Sequence, residues 1–188
     1  MRIVYPVIMP VPITDKLARG RERNTLLSRL AREAVQVSAQ KAGVVFRKME
    51  KAENGCPLPE NGLFWSLSHK PDYVAGVVSQ QPIGIDLEQI RPVSDGMYRM
   101  IALPEEWEMG DGDKLIRFFR YWTAKEAVLK SFGTGLKELS RCRISSVIDD
   151  NHIGVDYRDQ LCVVEQVISS GYMAAVFSGH VALEWCWI

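Results

Sequence analysis

The chain has 188 residues, and its 47% hydrophobic and 24% charged composition is ordinary for a globular protein, which excludes a disordered chain. Lys plus Arg and Asp plus Glu number 23 each, a balance that argues against extended nucleic-acid contact. No run approaches the ~18 apolar residues that a membrane helix needs, so a soluble, cytoplasmic protein is expected, with no membrane partner.

The charge is unevenly spread. Residues 1–56 hold eleven Lys and Arg against five Asp and Glu, and residues 57–188 hold twelve against eighteen. A basic first third facing an acidic remainder suits an anionic ligand held between cations and a metal, although two solvated surfaces of opposite sign fit equally well. Cys56, Cys142, Cys162 and Cys186 are scattered without a CxxC pair, which favours reduced, mostly buried thiols over a zinc site or a disulfide framework.

The opening run RIVYPVIMPVPI reads as a strand followed by a proline-stiffened loop, not as a signal peptide. Residues 21–43 predict an amphipathic helix, with Leu26, Leu27, Leu30, Ala34 and Val37 at helical spacing and Gly43 as its stop. The runs VVFRKM, LFWSLSH, YVAGVVS and IGIDLE then predict short strands. A segment rich in Pro, Gly and acidic residues, roughly 91–112, predicts helical turns around 97–103 and 104–108; core packing is expected for its Tyr98 and Trp107. Residues 113–132 predict the second long helix, stopped by Gly133 and Gly135. After it CRISSVID, IGVDY, LCVVEQVI, YMAAVFS and VALEWCW again predict strands. A helix followed by a strand meander, twice over, predicts an α+β fold of two similar α/β lobes, divided as 1–90 and 91–188. The strongest motifs then meet near the junction of the lobes.

In IGIDLE the strand period puts Asp86 and Glu88 on one face and Ile85 and Leu87 on the other, with Gly84 leaving room beside them. Taken alone this is also the pattern of an exposed polar face on a half-buried strand. In the second helix, Leu115, Phe119, Trp122, Glu126, Leu129 and Gly133 trace one stripe, in which Glu126 is the lone carboxylate. A carboxylate there needs a cation: either Lys130, one turn on, in a structural ion pair, or a metal ion. Lys125 points off the stripe. Three carboxylates on two packed elements favour a hard, oxygen-seeking ion, best Mg²⁺, shared with phosphate oxygens of a substrate. Arg19, Arg21 and Arg23 at the start of the first helix supply guanidinium groups suited to phosphate, and Ser68 and His69 add a hydroxyl and an imidazole.

The segments SLSHKPDYVAGVVS, IGIDLE and WTAKEAVLKSFGTGL together resemble the 4′-phosphopantetheinyl transferase superfamily, in its surfactin-type and enterobactin-type branch, where two pseudo-symmetric halves lie on one chain. The strand motif G-[IV]-D-[IV]-E falls at 84–88 and the helix motif [FW]-[ST]-x-K-E-A-x-x-K at 122–130, in the family's order; the likeness is strong over about 64–136. The resemblance implies a pseudo-twofold pair of α+β lobes with coenzyme A in the cleft between them. It implies a monomeric enzyme, a holo-[acyl-carrier-protein] synthase, which moves the 4′-phosphopantetheine arm of coenzyme A onto a serine of an acyl or peptidyl carrier protein and releases adenosine 3′,5′-bisphosphate. Asp86, Glu88 and Glu126 would hold Mg²⁺, with Asp86, Glu126 and Lys130 forming the catalytic set. Ser68, His69 and Lys130 would contact phosphate, and one of Arg19, Arg21 and Arg23 the 3′-phosphate. Glu126 is the candidate base, directly or through a metal-bound water.

Two positions depart from the family pattern. The turn before the SLSH strand is Gly55-Cys56-Pro57, where many relatives carry a basic residue, and Lys70 stands where a small residue is common. Two rival readings are a metal-dependent nuclease, whose usual lysine would fall at Ile90, and a non-catalytic module that binds coenzyme A or a carrier protein.

Overall fold

The computed structural model describes residues 3–17, 19–179 and 181–188. Arg2, the first residue of the run expected to open as a strand, lies outside them. The elements are β1 (Val7–Pro10), α1 (Gly20–Lys41), β2 (Phe64–His69), β3 (Tyr73–Ser79), β4 (Gly84–Gln89), α2 (Asp95–Ile101), α3 (Pro104–Trp107), α4 (Lys114–Phe132), β5 (Arg143–Val147), β6 (His152–Tyr157), β7 (Gln160–Ser169), β8 (Tyr172–Phe177) and β9 (Cys186–Trp187), with 3-10 turns at Ile13–Leu17 and Leu136–Arg141. No helix among the described residues is long and apolar enough to cross a membrane.

The fold is α+β, built on two sheets: a four-stranded one in the order β2-β3-β1-β9 and a five-stranded one in the order β4-β8-β7-β6-β5. Alternation along the strands sets the layers. In β3, Val74 and Val78 join the cores under α1, while Ala75 and Val77 face the second sheet. In β8, Tyr172, Ala174 and Val176 face the first sheet, and Met173, Ala175 and Phe177 pack under α4. The order is therefore α1, first sheet, second sheet, α4, with three apolar interfaces. Chain order and layer order do not coincide. The strand β4, early in sequence, pairs antiparallel with β8, and β9, at the end, pairs parallel with β1.

Both long helices end where the sequence predicts, for local reasons. Asp113 caps α4 by accepting from the N–H groups of Leu115 and Ile116, at 2.8 and 2.9 Å, and Gly133 closes it in the left-handed conformation at φ 65°. The strand expected at VVFRKM does not form. The N–H groups of Arg47 and Lys48 donate to Glu60 Oε2 at 2.7 and 2.9 Å, and Met49 O accepts from Arg32 at 2.8 Å. Side chains have taken the backbone groups that a ladder would use. Of the expected terminal strand only β9 forms, together with an isolated bridge between Val4 and Leu183.

The helix α4 is buried on more than the predicted stripe. Lys125, off that stripe, is 1% exposed. Its Nζ lies 2.6 Å from Glu106 Oε1 and 2.7 Å from Ile101 O. Glu106 also accepts from the N–H groups of Leu103 and Ile144, each at 2.7 Å, so one carboxylate ties the 91–112 segment and β5 to α4. Tyr98 packs on Phe118 and Trp107 stacks on Tyr121, as the core reading of both expects.

Two substitutions test this packing. Lys125→Ala leaves Glu106 charged in the core and should lower the unfolding free energy by about 3–5 kcal/mol, read from denaturant midpoints. A Cβ at Gly84 would drive into Ala127 O and Ser131 N of α4, backbone atoms that cannot step aside. Gly84→Ala should cost about 1–3 kcal/mol and displace α4 from β4; a variant as stable as the parent would contradict that close approach.

Candidate functional site

The site forms where two sheet edges meet. The strands β2 and β4 are the edge strands of their sheets, and Ser66 Oγ of β2 accepts from Ile85 N–H of β4 at 3.1 Å. On the other side of the same residue, Lys130 Nζ of α4 donates to Ile85 O at 3.0 Å. Gly84, Asp86 and Glu88 share the face of β4 turned toward α4, as the blocked Cβ at Gly84 requires.

Asp86 is 3% exposed, which removes the reading of an exposed polar strand face. Its Oδ1 accepts from Lys130 Nζ at 2.7 Å and from Ser68 Oγ at 3.0 Å, while its Oδ2 is buried without a partner. Glu88 Oε1 accepts from Trp122 Nε1 at 3.0 Å and pairs with Lys70 Nζ at 2.8 Å. Lys130 has thus turned to Asp86, and the ion pair that spacing allows between Glu126 and Lys130 does not form. The Glu126 side chain makes no hydrogen bond or ion pair among the described residues. Burial, then the fields of Asp86 and Glu88 against that of Lys130, push its carboxyl up to about 7. Burial, then Asp86, also raise Glu88.

All the donors here are oxygens, and one of them, Asp86 Oδ2, is desolvated and unpaired. That set fits a hard divalent cation better than a soft one. Among the described residues no three His, Cys, Asp or Glu side chains are drawn into coordinating geometry.

The remaining predicted residues divide. His69 ends β2 beside the site; burial, then Lys130, Lys70 and Lys51, hold its imidazole below the usual range, which favours its neutral form. Arg23 Nη2 donates to Pro71 O at 3.4 Å, which sets it against the turn that carries Lys70. Arg19 precedes α1 and Arg21 lies along its first turn, both exposed. Sequence reasoning missed Trp122 as the donor to Glu88 and Ser66 as the cap on the β4 edge; the position of Trp122, one turn before Glu126 on the same stripe, was the available signal. Behind Lys130 runs a cleft of about 450 Å³ lined by Lys51, Cys56, Ser66, Lys130, Thr134 and Lys137.

Residues 82–176, which hold β4, α4 and the strands up to β8, match the family described as the 4′-phosphopantetheinyl transferase superfamily. The chain belongs to that superfamily. It is 41% identical over 93 residues to 4′-phosphopantetheinyl transferase HetI of Nostoc sp., covering 46% of this chain and 39% of that protein. It is 31% identical over 93 residues to 4′-phosphopantetheinyl transferase psf-1 of Bacillus pumilus, covering 46% of this chain and 40% of that protein. A 4′-phosphopantetheinyl transferase of Bacillus subtilis is 25% identical over 147 residues, covering 74% and 65%. The chain thus spans about two fifths of the length of the first two relatives.

The raised Glu126 has a consequence for stability. Its folded value, about 7, lies above the ordinary 4.5, so the unfolded chain releases this proton first. Stability then falls as pH rises from about 4.5 through 7 and levels off above. Glu126→Gln removes that effect. Without divalent metal it should be more stable than the parent at pH 8, by on the order of 2 kcal/mol, and the gap should close by about pH 5. Denaturant titrations at the two pH values check this.

Proposed function

We propose that the protein transfers the 4′-phosphopantetheine arm of coenzyme A to a serine hydroxyl of an acyl or peptidyl carrier protein, in a Mg²⁺-dependent reaction that releases adenosine 3′,5′-bisphosphate. The observation that carries this reading is the gathering of Asp86, Glu88, Glu126 and Lys130 at one sheet junction, within the part of the chain that matches the superfamily. In this reading Asp86, Glu88 and Glu126 hold the metal, and the chain divides near residue 90 into two pseudo-twofold lobes that exchange β4 and β9 between their sheets.

The metal would supply charge neutralisation on the diphosphate. The protein's own groups do the rest. The carrier serine oxygen bonds to the phosphorus that bears the pantetheine arm, and the bond from that phosphorus to the bridging oxygen breaks. Glu126 would take the serine proton: among the described residues neither of its side-chain oxygens is bonded to the protein, so one can hold the metal while the other accepts. Lys130 stands beside Asp86, where its ammonium meets the charge that develops on the departing phosphate. The cleft behind Lys130 suits the rest of coenzyme A, and Lys51 and Lys137 there offer cations in place of the basic residue that Cys56 replaces. Ser68 is bonded to Asp86, so its part is to orient that carboxylate, and His69 and Arg23 would contact phosphate.

The test is to incubate the protein with Mg²⁺, coenzyme A and a panel of unmodified carrier proteins, and to follow carrier mass. A carrier should gain the arm, a chelator should stop the gain, and Glu126→Gln should slow it by about 10²–10⁴-fold with the fold intact. A panel left wholly unmodified, or near-normal transfer by Glu126→Gln, would overturn the proposal.

A further inference from the structure

Lys70 follows His69 in the turn that leaves β2, where its side chain stays 31% exposed, against 13% for Glu88. The contacts at Glu88 repeat those at Asp86. Glu88 Oε1 is held by the Lys70 ammonium at 2.8 Å and by the neutral donor Trp122 at 3.0 Å. Asp86 Oδ1 is held by the Lys130 ammonium at 2.7 Å and by the neutral donor Ser68 at 3.0 Å. Each carboxylate of β4 therefore has one oxygen fixed by an ammonium and a dipole, and among the described residues the other oxygen accepts nothing. Glu126 brings a third carboxylate and no cation of its own.

The charges can be followed through loading. Above the pH at which Glu126 ionises, three carboxylates and two ammonium groups leave the bare site with one net negative charge, and a divalent cation leaves it with one net positive charge. Without Lys70 the bare site would be doubly negative, and the loaded site neutral. An ammonium bonded to Glu88 lies close enough to repel a cation placed among the carboxylates, and to attract an anion placed on that cation. Lys70 thus opposes the metal alone and favours the metal together with a phosphate-bearing ligand.

We propose that Lys70 is a positioning residue that fixes Glu88 and couples the two ligands of the site, so that divalent metal binds weakly by itself and tightly together with coenzyme A. This rests on the transferase reading of the site. The residue acts through Glu88 and through its charge, and touches no reacting atom.

The experiment is a titration of Mn²⁺ into the full chain, read by calorimetry, with and without coenzyme A, for the parent, Lys70→Gln and Lys70→Arg. Lys70→Gln should bind Mn²⁺ alone about tenfold more tightly than the parent. The enhancement of Mn²⁺ affinity by coenzyme A should shrink in Lys70→Gln and persist in Lys70→Arg, which keeps the charge. A lysine that only braced the turn would leave all three affinities unmoved or weaken them together. Mn²⁺ affinity in Lys70→Gln equal to or below the parent's overturns the proposal with the transferase reading intact. A parent that binds neither Mn²⁺ nor coenzyme A overturns that reading, and this proposal with it.

Discussion

Lys130 donates both to the backbone carbonyl of Ile85 and to the carboxylate of Asp86, at 3.0 and 2.7 Å, and the site depends on this pairing. An edge strand presents unpaired backbone groups, and β4 is the edge of its sheet. Ser66 satisfies the N–H of Ile85 and Lys130 its C=O, so β4 is finished on its open side by a hydroxyl from one sheet and an ammonium from α4. That arrangement brings Asp86, with its bare Oδ2, under the helix that also carries Glu126. The hydrogen bonds that close the sheet edge also place the charges.

The helix α4 does this because consecutive residues are sent to opposite duties. Lys125 is sunk in the core against Glu106, where breaking the pair would leave a buried charge. Glu126, about 100° round the helix, faces the sheet junction with no protein partner among the described residues. The ion pair at Lys125 pins α3 and β5 to α4, which fixes the rotation of the helix about its axis. That rotation in turn holds Glu126 and Lys130 over β4. A buried pair adds little net stability, and here its effect is to set position.

Much of this was legible in the sequence, where local periodicity decides the outcome. The limits of β2, β3 and β4 and of both long helices follow from alternation, the Asp113 cap and the glycine stops. The single carboxylate in the apolar stripe of α4 pointed to Glu126, and the period of β4 put Asp86 and Glu88 together. What could not be read depended on partners far along the chain. VVFRKM has strand propensity, but Glu60 and Arg32 took its backbone groups. Lys125 looked off the stripe, and only the return of the 91–112 segment buries it. The spacing of Glu126 and Lys130 allowed a helix ion pair, which Asp86 pre-empted from another element. The crossing of β4 and β9 between the halves of the chain leaves no mark on local pattern.

The part of the chain that matches the superfamily begins at residue 82, and the site does not stop there. It contains Asp86, Glu88, Glu126, Trp122 and Lys130, the carboxylates and the helix that faces them. Ser66, Ser68 and Lys70 come from β2 and the turn after it, outside the match, and they bond to that machinery rather than adding to it. A hydroxyl on an edge strand can be replaced by many groups that still satisfy one N–H, and a lysine on a turn can be lost without opening a core. Ser66 and Ser68 are buried and Lys70 is partly exposed, and what the three share is the bond each makes to a residue of β4. In the proposed reading, the matched segment carries the groups open to a hard cation and a phosphate, and β2 with the turn after it adjusts how strongly each is held.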